Sequence, residues 1–230
     1  MGEVILKAKN IFKSYDNGEK TLSVLNDLSI QVEKNQIITI TGQSGSGKST
    51  LLNILGSLDK PDNGKVEINT EGVNSFEAPY ELVKTMRASV LVWGALLGRF
   101  GKAKISFPGG CAIGDRPVDQ HIKAFDSLGY KTDINDGYLE TSKVSKTGGV
   151  FEFETKSVTG CENAIIASIL ADKKTIIKNC ALEPEVGDLI SFLKFLGAKI
   201  EVSGSTVEIM PSSSLSSGNG AYSVIPDRIE

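Results

Sequence analysis

The chain has 230 residues, 40% hydrophobic and 23% charged, with 24 Gly, 7 Pro and a formal net charge of −3. That is an ordinary soluble composition, and a small negative charge leaves no electrostatic footprint for nucleic acid. No apolar run approaches the roughly 20 residues that span a bilayer, so a cytoplasmic protein is expected. Met1-Gly2-Glu3-Val4 lacks the regions of a secretory leader, and Leu6 stands where a myristoylation signal prefers Ser or Thr. Three widely spaced Cys argue against a disulfide framework or a zinc cluster, and the single His, His121, argues against a His-based metal site.

The elements read in chain order change style near residue 68. Val4 to Tyr15 alternates loosely as a strand, and Leu28 to Val32 is a second. Gln36 to Thr41 is a short β-branched run that reads as a buried strand. It runs into Gly42-Gln43-Ser44-Gly45-Ser46-Gly47-Lys48-Ser49-Thr50, after which Leu51 to Leu55 begins a helix. A turn at Pro61 to Gly64 and a strand at Lys65 to Ile68 close the first part.

The second part is built of helix–strand units. Ala78 to Phe100 reads as one long helix, with Pro79 tolerated in its first turn and Gly101 as its stop. Lys104 to Phe107 is a strand, Pro117 to Leu128 a helix closed by Gly129, and Lys131 to Ile134 and Tyr138 to Thr141 are strands. Asn163 to Ala171 is a helix, Thr175 to Lys178 a strand, and Pro211 to Gly220 a Ser/Gly-rich loop. Ile122 to Lys131 aligns with Ile190 to Lys199 at an offset of 68 positions, and Thr132 to Thr141 aligns with Ile200 to Ile209. Self-similarity at a fixed period marks a supersecondary unit used more than once. Helices and strands in each unit imply helices packed behind sheets or enclosed by them.

Gly42-x-x-x-x-Gly47-Lys48-Ser49 fits the Walker A pattern, with a strand expected before it and a helix after it. Gly42, Ser44, Gly45, Ser46 and Gly47 would let backbone N–H groups curl around phosphate oxygens, beside a helix N-terminus. Lys48 would reach the β/γ-phosphates, Ser49 would hold Mg²⁺, and Thr50 would complete the nucleotide-binding set. The bland alternative is a Gly/Ser-rich turn. With Asn10 to Tyr15, Val24 to Ser29 and Leu51 to Asp59, this stretch resembles the start of an ABC-transporter ATPase of the lipoprotein-release and macrolide-export branch. The resemblance covers residues 4 to 68 and implies a partial P-loop subdomain that binds Mg-ATP, with Tyr15 stacking on adenine. The later ATPase motifs do not follow in register, so turnover is not expected, and a membrane permease partner would apply only to a complete ATPase.

Residues 74 to 230 resemble the UDP-N-acetylglucosamine 1-carboxyvinyltransferase (enolpyruvyl transferase) family. The blocks that carry this are Asn74 to Ser89, Arg99-Phe100-Gly101, Pro108 to Asp119, Val158 to Asn163, Glu183 to Leu189 and Ile225 to Glu230. Trp93, Ala95 and Asp115 depart from the family's usual residues. The resemblance implies an α/β fold of βαβαββ repeats with the helices inside, two full repeats being held within residues 69 to 230 and residues 1 to 68 forming the other piece. It further implies transfer of enolpyruvyl from phosphoenolpyruvate to UDP-N-acetylglucosamine, with no cofactor.

On that resemblance Cys111 is the general acid and covalent adduct site, on a Gly-rich loop beside Arg116, whose charge would favour thiolate. Arg87 and Arg116 would contact phosphoenolpyruvate. Arg116, Pro117, Val118, Asp119 and His121 would line the sugar-nucleotide pocket, and Ser157, Val158 and Thr159 fall where the family binds uridine diphosphate. The plain readings stand beside these: Cys161, Cys180 and Trp93 as core, His121 as a surface helix residue, and Asp172-Lys173-Lys174 as a solvated turn. The chain lacks the family's N-terminal Lys-Asn pair and its second domain, and it ends within a motif, as a truncation would. Three readings stay open: a transferase fragment without turnover, a nucleotide-binding module, and a non-functional chimera joined near Gly64 to Asn69.

Overall fold

A computed structural model describes residues 2–16, 18, 20–56, 59–83, 87–107, 118–216 and 222–225, less the side chains of 87 and 88. The chain divides into two units, Met1–Asn74 with the chain end from Ser223, and Ser75–Tyr222.

In the first unit Val4–Asp16 (β1) pairs antiparallel with Thr21–Glu33 (β2) on one side and Asn63–Ile68 (β3) on the other. The sheet order is β2-β1-β3. Helix α1, Lys48–Leu55, sets Leu51 and Ile54 against Ala8, Ile11 and Leu25 to make a small core. The strand expected over Gln36 to Thr41 does not form, and Ile37 is 93% exposed. β-Branched residues favour extended backbone, but a strand also needs a neighbour for its N–H and C=O groups. The three places in this sheet are taken by β1, β2 and β3, and the run pairs with none of them.

The second unit holds the repeat. Glu77–Ala78 (β4) runs parallel to Lys102–Ser106 (β5), which pairs antiparallel with Tyr138–Lys143 (β7), which pairs with Tyr130–Asn135 (β6). The next repeat copies this: Val150–Glu152 (β8) lies parallel to Thr175–Lys178 (β9), then come Thr206–Met210 (β11) and Lys199–Ser203 (β10). The two sheet orders, β4-β5-β7-β6 and β8-β9-β11-β10, are the same topology. Even the register repeats, since Ile105 faces Leu139 as Ile177 faces Val207, and all four are buried. Gly129 and Gly197 occupy equivalent turns at φ 96°, a left-handed conformation that penalises a Cβ.

The long helix expected over Ala78 to Phe100 is broken. Residues 77–78 are spent on pairing with β5, Tyr80–Val83 is a single turn (α2), and Arg87–Leu91 is a 3₁₀ turn leading into Val92–Phe100 (α3). Gly101 ends α3 as expected, in the left-handed conformation. The remaining helices are Asp119–Ser127 (α4), Val158–Ser168 (α5) and Pro184–Phe195 (α6). Helix α5 starts earlier than its apolar run because Ser157 caps it, its Oγ accepting the Gly160 N–H at 3.1 Å.

Eight of the eleven residues of α5 are buried. A helix buried nearly all round must sit inside the fold rather than on it. It packs against α3, α4, α6 and β9, which makes it the central helix of this unit. Close approach to α3 depends on Gly94, where a Cβ would come within 2.5 Å of the Asn163 carbonyl oxygen. Trp93 fills the centre of this unit at 0% exposure, with Phe125 edge-on at 4.9 Å.

One expectation about the thiols is corrected here. Cys161 and Cys180 are core residues, but they are also joined as a disulfide, with Cα atoms 5.8 Å apart. Their wide spacing in sequence hid this, because α5 and the end of β9 pass side by side in the core. The turn Asp172-Lys173-Lys174 is exposed, as expected, and Asp172 makes specific contacts within it. Its carboxylate accepts from the Thr147 N–H at 2.7 Å and the Thr147 hydroxyl at 2.8 Å, and pairs with Lys143 at 2.8 Å. Lys143, then the two Thr147 donors, hold the Asp172 carboxyl well below the usual carboxylate range. A depressed carboxyl stabilises the fold above its unfolded pKa and loses that effect as pH falls through its folded value. Asp172→Asn is therefore expected to melt below the wild type at pH 7, with the gap closing below about pH 4; melting curves across pH 2 to 7 check this, and a constant gap would contradict it.

Candidate functional site

Two segments that carry the expected ligand contacts meet at the N-termini of α4 and α5. Val118 caps α4, half-buried, and Asp119 begins the helix, exposed. Ser157 caps α5, and Val158 and Thr159 form its first turn, all half-buried. His121 bridges the two, its Nε2 lying 3.4 Å from the Thr159 hydroxyl. Lys123 on α4 pairs with Glu154 just before α5 at 2.7 Å. Two adjacent helix N-termini present unpaired N–H groups and the positive ends of their dipoles, a setting that favours anions.

His121 is not a surface helix residue: it is 4% exposed and stacks on Trp93, with ring centroids 6.1 Å apart. Burial pushes its pKa down to about 4, against the opposing pull of Asp119. The ring is therefore neutral at pH 7 and acts as a hydrogen-bonding group, not a charge. Two further polar groups on α5 went without a role in the sequence reading. Asn163 is fully buried, with partners on other elements, and Glu162 is 7% exposed with its carboxyl pushed up to about 7 by burial and then by the charge of Glu185. Both lie within the block Val158 to Asn163, but nothing in their spacing says that they are enclosed.

Cys111, Arg116 and Pro117 lie outside the described residues, as does the side chain of Arg87. In the chain, β5 ends at Ser106, ahead of Cys111, and the 3₁₀ turn carries the backbone of Arg87.

The phosphate-loop residues form their own arrangement in the first unit. Gly42 is followed by a turn over Ser44, Gly45, Ser46 and Gly47, and Lys48, Ser49 and Thr50 make the first turn of α1. The Lys48 ammonium donates to the Gln43 carbonyl at 2.6 Å and lies 3.3 Å from the Ser46 hydroxyl. Tyr15 is 45% exposed and its hydroxyl donates to Asp59 at 2.8 Å, while Lys13 pairs with the same carboxylate. No cluster of three or more His, Cys, Asp or Glu able to hold a metal occurs among the described residues.

The profile of the family described as EPSP synthase (3-phosphoshikimate 1-carboxyvinyltransferase) matches residues 46–230. The chain belongs to this family. Its match takes in the βαβαββ unit and also reaches back across α1 and β3, which the sequence reading had placed with the ATPase-like stretch. A UDP-N-acetylglucosamine 1-carboxyvinyltransferase of Psychrobacter arcticus (strain DSM 17307 / VKM B-2377 / 273-4) is 46% identical over 188 residues, covering 79% of this chain and 44% of that protein. The crystal structure of the enolpyruvyl transferase NikO from Streptomyces tendae superposes with a TM-score of 0.52 at 20% identity, covering 67% of this chain and 35% of that one. The second likeness is one of fold. This family member thus spans less than half the length of the relatives it matches. No described helix is long and apolar enough to cross a membrane.

Proposed function

We propose that residues 74 to 230 are the part of a UDP-N-acetylglucosamine enolpyruvyl transferase that holds the sugar nucleotide and carries the acid for phosphoenolpyruvate. The observation that carries this reading is the meeting of His121 with Thr159, from two motifs 38 residues apart, at paired helix N-termini. The identity of the Psychrobacter relative supplies the substrate class.

In this reading Val118, Asp119 and His121 line one side of the sugar-nucleotide site, with Ser157, Val158 and Thr159 offering donors to the diphosphate. Arg116 and Pro117 complete the first group, and Arg87 with Arg116 holds the anionic groups of phosphoenolpyruvate. The 3′-hydroxyl oxygen gives its proton to a general base and bonds to C2 of phosphoenolpyruvate, while the C2–C3 π electrons take a proton from Cys111 onto the C3 methylene. The tetrahedral intermediate then loses phosphate from C2 and a proton from C3, which restores the enol ether. Cys111 also adds across the C2–C3 double bond of phosphoenolpyruvate, its sulfur going to C2 and a proton to C3, to form a covalent adduct.

A ligand that binds only the folded state raises its stability by about 2.7 kcal/mol at one hundred times its dissociation constant. Melting of the 230-residue chain is therefore expected to rise with millimolar UDP-N-acetylglucosamine and to respond less in Thr159→Val. No shift at any concentration up to 10 times the millimolar range would count against the reading. The second reading, a nucleotide module over residues 1 to 68, is favoured by the turn-then-helix geometry from Gly42 to Thr50. Mg-ATP in the same melting assay tests it, with Lys48→Ala as the control.

A further inference from the structure

Asn163 sits at a junction of three other segments. The Gly94 N–H donates to its Oδ1 at 2.8 Å, and its Nδ2 donates to the Val90 carbonyl at 3.0 Å. A backbone N–H can only donate and a carbonyl can only accept, so these two partners fix which way round the amide lies. The same Nδ2 is 2.9 Å from Nδ1 of His121. With one amide hydrogen on Val90, the other points at the imidazole, and Nδ1 must accept it.

We infer that Asn163 is a positioning residue that fixes His121 as the Nε2–H tautomer and so sets the polarity of the site. The proton carried on Nε2 faces the Thr159 oxygen, 3.4 Å away. A hydroxyl that accepts this bond keeps its own proton for another partner. Thr159 is thereby turned into a donor, directed at ligand atoms that accept, such as the oxygens of a phosphate or carbonyl group. The opposite tautomer would put two N–H groups, of His121 and Asn163, against each other and leave Nε2 to accept the Thr159 proton.

The packing supports a dedicated arrangement. Asn163 is 0% exposed, and its Oδ1 lies 2.7 Å from where a Cβ on Gly94 would stand. Only glycine at 94 lets α3 close on the amide. Trp93, stacked on His121 at an interplanar angle of 10°, holds the ring plane while Asn163 holds its proton. The tautomer assignment rests on the fold alone, whereas its use in ligand binding rests on the reading proposed above.

His121 is the only histidine, so its two ring nitrogens give the only imidazole signals in a long-range ¹⁵N–¹H correlation spectrum. At pH 7, in the full chain without ligand, Nδ1 is expected as the unprotonated nitrogen and Nε2 as the protonated one, with no averaging. A protonated Nδ1, or a pair of averaged signals, overturns the inference. Asn163→Asp puts an acceptor against Nδ1, so the proton is expected to move to Nδ1 or the ring to become imidazolium. Asn163→Ser, too short to reach the ring, is expected to give averaged signals. A folded variant of either kind that keeps the wild-type pattern also overturns it, and if neither folds the wild-type spectrum decides. Failure of UDP-N-acetylglucosamine to bind, with the wild-type pattern present, would sink the functional reading and leave the tautomer standing.

Discussion

Trp93→Ala is expected to cost the second unit about 3–5 kcal/mol, the range for emptying a large aromatic site in a packed core. The side chain is fully buried and meets Phe125 edge-on and His121 face-on. Its indole N–H donates to the Thr141 hydroxyl on β7 at 2.9 Å, so the ring ties α3 to the sheet through a polar bond as well as through area. Thr141 keeps a partner when the indole is removed, because Thr132 lies 3.0 Å away, so most of the cost is the cavity. Trp93→Phe keeps much of the volume and loses the bond, and about 1 kcal/mol is expected. Urea unfolding followed by circular dichroism measures both. A loss below about 1 kcal/mol for the alanine variant would mean that the site collapses to fill the space.

Glu162→Gln is expected to stabilise the protein at alkaline pH. The carboxyl of Glu162 is pushed up to about 7 from an ordinary value of 4.5, by burial first and by Glu185 second. An acid whose folded pKa is raised contributes stability that is fully present below its unfolded pKa. That contribution is lost between about pH 4.5 and pH 7 as the buried group is forced to ionise. Glutamine has the same shape and no charge to lose. At pH 8 the variant is expected to be more stable by on the order of 3 kcal/mol, from 1.36 kcal/mol per unit of pKa, and the two proteins should converge at pH 4. Equal stability at pH 8 would show that the carboxylate finds compensation when it ionises.

The repeat was legible because it is written in single residues. Gly129 and Gly197, 68 positions apart, take the same φ, and the hairpins after them share one register. The strand Glu77–Ala78 was not legible, since two residues before a proline carry no period and their pairing comes from β5, more than 20 residues on. The run Gln36 to Thr41 failed the other way, having local propensity without a neighbour to pair with. At the site, His121 and Thr159 could be named from their motifs, but their meeting could not. Asn163 left no trace at all: its three partners lie 42, 69 and 73 residues away, and a lone asparagine in an apolar helix looks the same whether it is a junction or a flaw. Asp172 lies in an exposed charged turn, as expected, but its bonds to Thr147 and Lys143 join distant segments and left no mark in the sequence.

Helix α5 carries Ser157 to Thr159 at its start and is enclosed for most of its length. Ligand-contacting segments are commonly drawn from the parts of a fold that open most easily. Here the proposed contact segment continues directly into a helix buried along most of its length. The amides of its enclosed residues, Gly160 to Ile165, are expected to exchange with solvent chiefly through cooperative opening of the unit. Whatever binds at the first turn of α5 therefore pulls on the global folding equilibrium, and occupancy of the site and protection of the core become one quantity.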